Sequence, residues 1–278
     1  MKITCYGSRG SIPASGPNYA KYGGDTTCLF IESKSGDKLI IDAGSGIRDC
    51  GNHILQNKIN KVHLLFTHAH WDHLLGFPFF KPIYISHFAL EIYGYSFGLR
   101  GGIKKVVEGV FRHPYFPITS HAMRAKVTYH NVTTEPFAIG SLRLTAIPLS
   151  HPDGGYGYKI EEDGKIFTFL TDNELGSIHK GGLTMAEYAQ LVSHSDLLVH
   201  DAEFKAEEYP TRQNWGHSCF LDAVSLAKKA KVKKLGLFHH NQDRPDAQID
   251  AMVEEAQHLL KRSKVECMAV AQGQVFEL

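Results

Sequence analysis

Short apolar runs alternate along this chain with longer segments in which apolar residues recur every three or four positions. The short runs, bounded by Gly, Pro or Asp, predict strands, and the longer segments predict helices. The predicted strands are residues 2–6, 28–32, 39–41, 62–66, 126–130, 142–148, 156–161, 165–170, 197–199 and 235–238, with a closing strand or two in 266–277. The predicted helices are residues 47–55, 103–111, 184–192, 219–229 and 246–261. This alternation is typical of an α/β fold.

Residues 77–131 interrupt the alternation because they are rich in aromatic residues, glycine and proline. A segment this long and apolar is not expected to be a bare loop. We expect it either to cover a functional site as a lid or to form a subunit interface, which would make the protein a homodimer. Since nothing else in the chain resembles a linker, we predict a single domain over residues 1–278 that contains this insertion.

Composition excludes several classes of protein. Hydrophobic residues make up 43% of the chain and the formal net charge is +1, so no general nucleic-acid surface is indicated. The first residues lack the apolar core of a signal peptide, and no apolar run approaches the roughly 20 residues of a membrane span. We therefore expect a cytoplasmic protein with no membrane partner. The five cysteines have no CxxC spacing and are expected to be buried and unpaired.

Three histidines and an aspartate lie close together in the run Thr67-His68-Ala69-His70-Trp71-Asp72-His73, just after the predicted strand 62–66. Imidazole and carboxylate are ligands that suit zinc, manganese or iron. Because side chains alternate along an extended segment, His68 and His70 should point at one position, with Asp72 and His73 on the turn beyond. Two ligands for one ion, followed by two for its neighbour, is the pattern that a two-metal site needs.

Polar residues that can bind metal also follow the ends of several other predicted strands. They are Asp42, His68, His151, Asp172, Asp201 and His239. In α/β proteins, ligands gather at the carboxyl ends of the strands. The six positions are therefore expected to share one edge of the fold. Taken singly, an aspartate after a strand is more often a turn former or a helix cap.

In order and spacing, these motifs resemble the five motifs of the metallo-β-lactamase superfamily. The matching segments are Leu39-Ile40-Ile41-Asp42-Ala43-Gly44, the histidine run, Ser150-His151-Pro152, Leu170-Thr171-Asp172 and His239. Two further segments, Leu198-Val199-His200-Asp201-Ala202-Glu203-Phe204 and Gly216-His217-Ser218, resemble the phosphodiesterase branch, which includes tRNase Z and cyclic-phosphate phosphodiesterases. The resemblance implies a four-layer αββα sandwich and a binuclear metal site.

The resemblance also implies which residues hold the two divalent ions. His68, His70 and His151 would hold one ion, Asp72, His73 and His239 the other, and Asp172 would bridge them. His240 competes with His239 for the last position, but alternation along the strand puts it on the opposite face. Asp42 is then expected to support the site rather than to bind metal. Zinc is the expected metal, and manganese or iron fit the same ligands.

Our primary hypothesis is a phosphodiesterase that hydrolyses a small cyclic phosphodiester resembling a cyclic nucleotide. Two ions about 3.5 to 4 Å apart would share a water and present it to phosphorus as a bridging hydroxide. Asp72 is expected in the catalytic centre. His217 is the candidate acid that contacts the substrate and protonates the leaving oxygen, with a helix-capping or core histidine as the alternative. Residues 7–13 form either a solvated loop or an anion site in which Arg9 contacts the substrate.

Three other functions share parts of this pattern. A tRNA 3′-end endonuclease of the tRNase Z type would use the same metal site on RNA. Asp201 stands where those relatives carry Glu, however, and the long Gly/Pro-rich arm that many of them carry after the residue matching Asp172 is missing here. A lactonase or thioesterase would attack carbonyl carbon with the same hydroxide, without an evident need for His217. A metal-binding accessory protein without hydrolytic activity is the fourth possibility.

Overall fold

The computed structural model describes residues 1–96, 98 and 100–278, and within them two seven-stranded sheets face each other. The strands are β1 (Lys2–Gly7), β2 (Cys28–Glu32), β3 (Lys38–Ile41), β4 (Lys61–Leu65), β5 (Ala89–Gly94), β6 (Lys126–Asn131), β7 (Phe137–Ile139), β8 (Leu142–Pro148), β9 (Tyr156–Glu162), β10 (Lys165–Leu170), β11 (Leu197–Asp201), β12 (Lys234–Phe238), β13 (Glu266–Ala269) and β14 (Val275–Glu277). The helices are α1 (Ile47–Gln56), α2 (Trp71–Leu74), α3 (Ile103–Val110), α4 (Met185–Leu191), α5 (Phe220–Ala230) and α6 (Asp246–Leu260).

The two sheets have related layouts. The first has the order β14-β1-β2-β3-β4-β5-β6 and the second the order β13-β12-β11-β10-β9-β8-β7. Strands β3 to β6 are parallel to one another in the first sheet, and β10 to β13 are parallel in the second. Each parallel half sends the carboxyl ends of its strands to one edge, which is where ligands gather in α/β folds.

Three apolar layers hold the sandwich together. The central layer joins the inner faces of both sheets, with Phe169 of β10 packed edge-on against Phe238 of β12 at 5.2 Å between ring centroids. Helices α1 and α3 cover the outer face of the first sheet, and α4, α5 and α6 cover the second. Each fully buried large apolar side chain stabilises the fold by about 1.5–3 kcal/mol relative to exposure. The predicted αββα sandwich is confirmed.

Sharp turns follow three of the strands that lead to the shared edge. Asp42 after β3, Asp172 after β10 and His239 after β12 have φ values of 63°, 48° and 57°. This left-handed region is sparsely used by residues other than glycine, although Asp, Asn and His are enriched in it. The turn leaves each side chain at the carboxyl edge instead of continuing the strand away from it.

Part of the predicted insertion over 77–131 belongs to the first sheet itself. Ala89–Gly94 forms β5, which lies between β4 and β6 and was missed because its short alternating pattern is embedded in aromatic sequence. The remaining part carries α3, which packs on the sheet through Ile103 and Val107. Whether any of it acts as a lid or a dimer interface stays a prediction.

Two further expectations about the chain can be compared with the structure. All five cysteines are buried and unpaired, as predicted. Among the described residues, no helix has the length and apolarity required to cross a bilayer.

Candidate metal centre

The histidine run is held in place by Asp42, the residue that follows β3. Asp42 Oδ1 accepts a hydrogen bond from the Thr67 amide and Oδ2 accepts one from the Thr67 hydroxyl, both at 2.8 Å. The same Oδ2 lies 2.8 Å from His73 Nδ1. One buried carboxylate therefore fixes both ends of the run. Asp72 and His73 lie on the short helix α2 rather than on the predicted turn.

The first group of potential ligands brings together His68, His70, His151 and Asp172, whose ligand atoms lie within 4.8 Å of one another. His70 Nδ1 lies 3.1 Å from His151 Nε2, and His68 Nε2 lies 3.5 Å from Asp172 Oδ2. His70 is exposed and the other three are buried. The group joins the end of β4 in the first sheet to β8 and β10 in the second.

The second group consists of Asp72, His73, Asp172 and His239, all buried and also within 4.8 Å. His73 Nε2 lies 3.2 Å from Asp72 Oδ2 and 3.1 Å from Asp172 Oδ1. His239 Nε2 lies 3.1 Å from Asp72 Oδ2 and 3.3 Å from Asp172 Oδ2. Asp172 belongs to both groups, the arrangement expected of a carboxylate shared by two ions.

The competing residue, His240, lies on the other side of the chain. Its Nε2 lies 2.9 Å from the carbonyl oxygen of Val270, and its ring packs on Tyr22 at 5.5 Å. His239 rather than His240 therefore faces Asp72 and Asp172. The two side chains lie on opposite sides as predicted, although His239 lies beyond β12 in a left-handed turn rather than in the extended strand.

Donor chemistry at the centre fits divalent cations. His68 Nε2 and His73 Nε2 are buried without a hydrogen-bond partner in the described part of the chain. Their Nδ1 atoms lie 3.1 Å from Thr67 Oγ1 and 2.8 Å from Asp42 Oδ2, respectively. Since a bonded Nδ1 carries the proton, Nε2 keeps its lone pair for a metal. The Nδ1 atoms of His151 and His239 are held in the same way, by the Gly216 carbonyl oxygen at 2.9 Å and by Glu203 Oε2 at 3.0 Å.

The two groups differ in charge. Burial lowers the pKa of His68 well below its ordinary value and the pKa of His151 to about 3, so both imidazoles are neutral. Burial has the same effect on His73, but the carboxylates of Asp72 and Asp172 outweigh it and raise the pKa of His73 well above its ordinary value. The acidic second group thus attracts positive charge, which either a proton or a divalent ion can supply.

His217 lies directly beside the second group. Its Nδ1 is 2.8 Å from Asp201 Oδ2 and 3.4 Å from Glu203 Oε2, and its ring stacks on His239 at 4.7 Å. Burial opposes the charged imidazole, but the carboxylates of Glu203 and Asp201 raise the pKa of His217 to about 9. These two carboxylates therefore favour the charged form of the imidazole. With Nδ1 bonded to Asp201, Nε2 is the nitrogen that remains for another partner.

Two glutamates that the sequence analysis did not single out as site residues support the centre. Glu203 bonds His239 as described, and its Oε1 accepts from Asn241 Nδ2 at 2.9 Å. Glu174 is fully buried and accepts hydrogen bonds from the amides of Asn214 and Gly216 at 2.7 and 2.8 Å. Glu203 could have been suspected from its position two residues after Asp201. No local pattern marks Glu174, whose two backbone partners are 40 and 42 residues away.

Only glycine fits at position 216. Its φ is 91°, and a Cβ atom there would lie 2.1 Å from His151 Nδ1. The glycine therefore lets the backbone approach close enough for its carbonyl oxygen to orient His151. This contact links the loop that carries His217 to the first ligand group.

Arg9 points into the protein rather than toward the ligand groups, and its contact with the substrate stays a prediction. Its side chain is fully buried, and its Nη1 donates to the carbonyl oxygens of Asn241 and Arg244 at 3.2 and 3.0 Å. Nε and Nη2 both donate to the carbonyl oxygen of Gly23. The arginine cross-links two loops because a long cationic side chain can satisfy several inward-facing carbonyls. The loop instead reaches the centre through the Ser11 amide, which donates to Asp72 Oδ2 at 2.9 Å.

Comparison with known proteins agrees with the geometry. A family model described as "Beta-lactamase superfamily domain" matches residues 38–240, which include every predicted ligand. The chain belongs to the beta-lactamase superfamily. The ribonuclease Z of Haloarcula marismortui is 25% identical to it, in an alignment that covers 92% of this chain and 91% of the relative.

Two solved structures share the fold of this chain. The metallo-beta-lactamase fold protein YhfI from Bacillus subtilis superposes with a TM-score of 0.73 at 19% identity, covering 100% of this chain and 98% of YhfI. A diphosphatase from the PhnP family superposes with a TM-score of 0.69 at 20% identity, covering 100% and 97%. The predicted superfamily, its phosphodiesterase branch and a metal-dependent hydrolase are confirmed.

Proposed function

We propose that this protein is a binuclear phosphodiesterase that hydrolyses a small cyclic phosphodiester resembling a cyclic nucleotide. The observation that carries the proposal is the pair of ligand groups that share Asp172, with His217 held beside them by Asp201. When bound, two divalent ions would supply a hydroxide nucleophile near neutral pH and offset negative charge on the phosphoryl oxygens. Zinc is the proposed metal because imidazole nitrogen dominates the ligand set.

The chain's own residues supply the remaining steps. Hydrolysis of a phosphodiester releases an alkoxide, which is a poor leaving group unless it receives a proton. His217 is the proposed donor, from Nε2, because Asp201 fixes the ring through Nδ1 and stabilises its charged form. Asp72 is proposed to act in the catalytic centre by holding the second ion, and its orientation is set by the Ser11 amide.

A small substrate is proposed because of what surrounds the centre. The segment between β10 and β11 forms the loop 171–184 and then α4, and His179 of this loop lines a cavity together with the ligand His151. Ser150 Oγ ties this loop down by donating to the Ser177 carbonyl oxygen and accepting from the His179 amide at 2.7 and 3.0 Å. A loop held in this way resembles a site wall more than a projecting RNA-binding arm.

RNA cleavage is the second candidate function, and relatives named ribonuclease Z favour it. It would use the same two ligand groups and the same proton donor, His217. The two functions differ in the surface that they require around the metal centre. A folded RNA needs a broad cationic surface, whereas a small cyclic phosphodiester does not. The net charge of +1 does not supply one by itself.

The test combines metal analysis with a substrate panel. Protein loaded with zinc, manganese or iron is assayed with bis(p-nitrophenyl) phosphate, cyclic mononucleotides, cyclic dinucleotides, precursor tRNA, and a lactone and a thioester. The matched control is the Asp172→Ala variant, which lacks the shared ligand. Turnover of a cyclic nucleotide that exceeds cleavage of precursor tRNA supports the proposal. Faster tRNA cleavage would support the nuclease, and full metal content without any hydrolysis would support an accessory role.

A further inference from the structure

A cavity of about 330 Å³ opens beside the metal centre on the side of His217. Its wall includes His217 and Ser11, the residue whose amide orients Asp72. The cavity therefore adjoins both the proposed proton donor and the second ligand group. Its volume is at the lower end of the range of small-molecule sites. The indole of Trp215 forms part of its rim and is 55% exposed.

The backbone of Trp215 is fixed from both sides. The buried Glu174 carboxylate accepts hydrogen bonds from the amides of Asn214 and Gly216, the two neighbours of Trp215. Both neighbours have left-handed backbones, with φ values of 69° and 91°. The Arg212 guanidinium lies over the indole ring, 4.6 Å from its centroid. An exposed aromatic ring held in this way is a pre-formed stacking surface.

The same cavity also offers a hydrogen-bond acceptor, beside charged groups of both signs, since Arg212 and His217 line it together with acidic side chains. Gln242 Oε1 is buried without a hydrogen-bond partner in the part of the chain that the structure describes. Gln242 Nε2 is occupied by Asp243 Oδ2 at 3.0 Å. The wall also carries the carboxylates of Glu203 and Glu208. A ligand with a flat ring and an N–H donor would complement both the exposed Trp215 and the open Gln242 Oε1.

We propose that this cavity binds the purine base of the substrate, stacked on Trp215 and donating from an amino group to Gln242 Oε1. The inference rests on the proposed phosphodiesterase function, and it narrows the substrate to a purine nucleotide. The phosphate then lies at the metal groups and the leaving oxygen beside His217. Any base can stack on an aromatic side chain, and a purine has a larger ring system for stacking than a pyrimidine has.

Binding by tryptophan fluorescence tests the proposal on the full, zinc-loaded chain. The chain contains two tryptophans, Trp71 and Trp215, so Trp71→Phe leaves Trp215 as the only reporter. Adenosine and guanosine 5′-monophosphates are expected to quench its emission, whereas ribose 5-phosphate, which lacks a base, leaves the emission unchanged. Equal quenching by ribose 5-phosphate, or no quenching by either purine nucleotide, would overturn the proposal.

Calorimetry on variants gives the second test. Trp215→Ala should weaken binding of adenosine 5′-monophosphate about 5- to 150-fold, the range found for loss of base stacking. Trp215→Phe should retain most of the affinity, and Trp71→Phe serves as the matched control on the other exposed tryptophan. Ribose 5-phosphate should bind all variants equally. Unchanged nucleotide affinity in Trp215→Ala would exclude the cavity as the base site.

The acceptor is tested with a nucleotide that lacks the amino group. Wild-type protein should bind adenosine 5′-monophosphate more tightly than purine riboside 5′-monophosphate, and Gln242→Leu should abolish this difference. A difference that persists in Gln242→Leu would rule out the proposed contact. Hydrolysis of bis(p-nitrophenyl) phosphate by the wild type is followed separately. Its absence would refute the phosphodiesterase while the base-binding results stand, so the two failures can be told apart.

Discussion

Asp42 Oδ2 and His73 Nδ1 lie 2.8 Å apart, with both side chains fully buried. Through this bond a residue that is not itself a ligand decides which nitrogen of His73 faces the second ligand group. Such outer partners raise the basicity of the ligand and fix its orientation. Asp42→Asn is therefore expected to lower metal affinity by about 10- to 100-fold, measured by competition with a chromophoric chelator.

A matched control for Asp42→Asn is available elsewhere in the chain. Asp163 also has a left-handed backbone, with φ of 50°, but it is exposed in the turn after β9. Asn tolerates this conformation as well as Asp does. Asp163→Asn should leave metal affinity unchanged, and equal losses in the two variants would contradict the role assigned to Asp42.

Metal stoichiometry should depend on which ligand is removed. Asp172 belongs to both ligand groups and His151 only to the first. Asp172→Ala is expected to lose both ions and His151→Ala only one, as measured by elemental analysis after dialysis. His87→Ala, at an exposed position, is the control. Retention of both ions in Asp172→Ala would mean that Asp172 does not bridge them.

The role of His217 can be separated from metal binding by changing the leaving group. His217→Ala should lower kcat for a substrate with an alkoxide leaving group by about 10²- to 10⁴-fold, the usual contribution of an acid catalyst. The loss should be much smaller with a p-nitrophenolate leaving group, which departs without a proton. Metal content should stay unchanged. Equal losses with both substrates would argue against proton donation by His217.

Glu174 should prove important for stability because its carboxylate has donors on every side. It accepts from His179 Nε2 and Tyr209 Oη at 2.8 and 2.7 Å, in addition to the two backbone amides of the Trp215 loop. In Glu174→Gln one oxygen becomes an NH2 group that faces other donors. We expect the free energy of unfolding to fall by about 1–3 kcal/mol, measured in urea. Tyr209→Phe removes one bond only and should cost about 1 kcal/mol.

Arg9 is expected to act on stability as well. Replacing it by Met removes the side-chain donors to the carbonyl oxygens of Gly23, Asn241 and Arg244. This loss should lower the free energy of unfolding by about 3 kcal/mol. Arg48→Met, at an exposed position on α1, should change it by less than about 0.5 kcal/mol. If Arg9→Met instead raised the KM for the phosphodiester and left the free energy of unfolding unchanged, Arg9 would be a substrate contact.

The histidine run and the strand ends could be read from the sequence because their signals are local. The HxHxDH spacing is confined to six residues, and Asp172 and His239 directly follow recognisable apolar strands. The layered fold follows from the same alternation of elements. In each case, the side chain and the element that positions it are neighbours along the chain.

Local sequence patterns could not predict the position of Arg9, the role of Glu174 or the strand β5. The direction of the Arg9 side chain is set by carbonyls at Asn241 and Arg244, more than 230 residues away. Glu174 has four partners that meet only when two loops pack together. Strand β5 is identified by its neighbours β4 and β6 rather than by its own composition. In all three cases the structure is determined by contacts between distant parts of the chain rather than by the preferences of the local residues.

The ligand set is spread from His68 to His239, and the first sheet is completed at its edge by β14, at residues 275–277. During synthesis, the early histidines leave the ribosome long before their partners exist. The first ligand group is complete along the chain at Asp172, whereas the second cannot be complete until His239 has emerged. Metal loading of the second group is therefore a late event in synthesis, and a chain that is truncated before His239 would be released with that group incomplete.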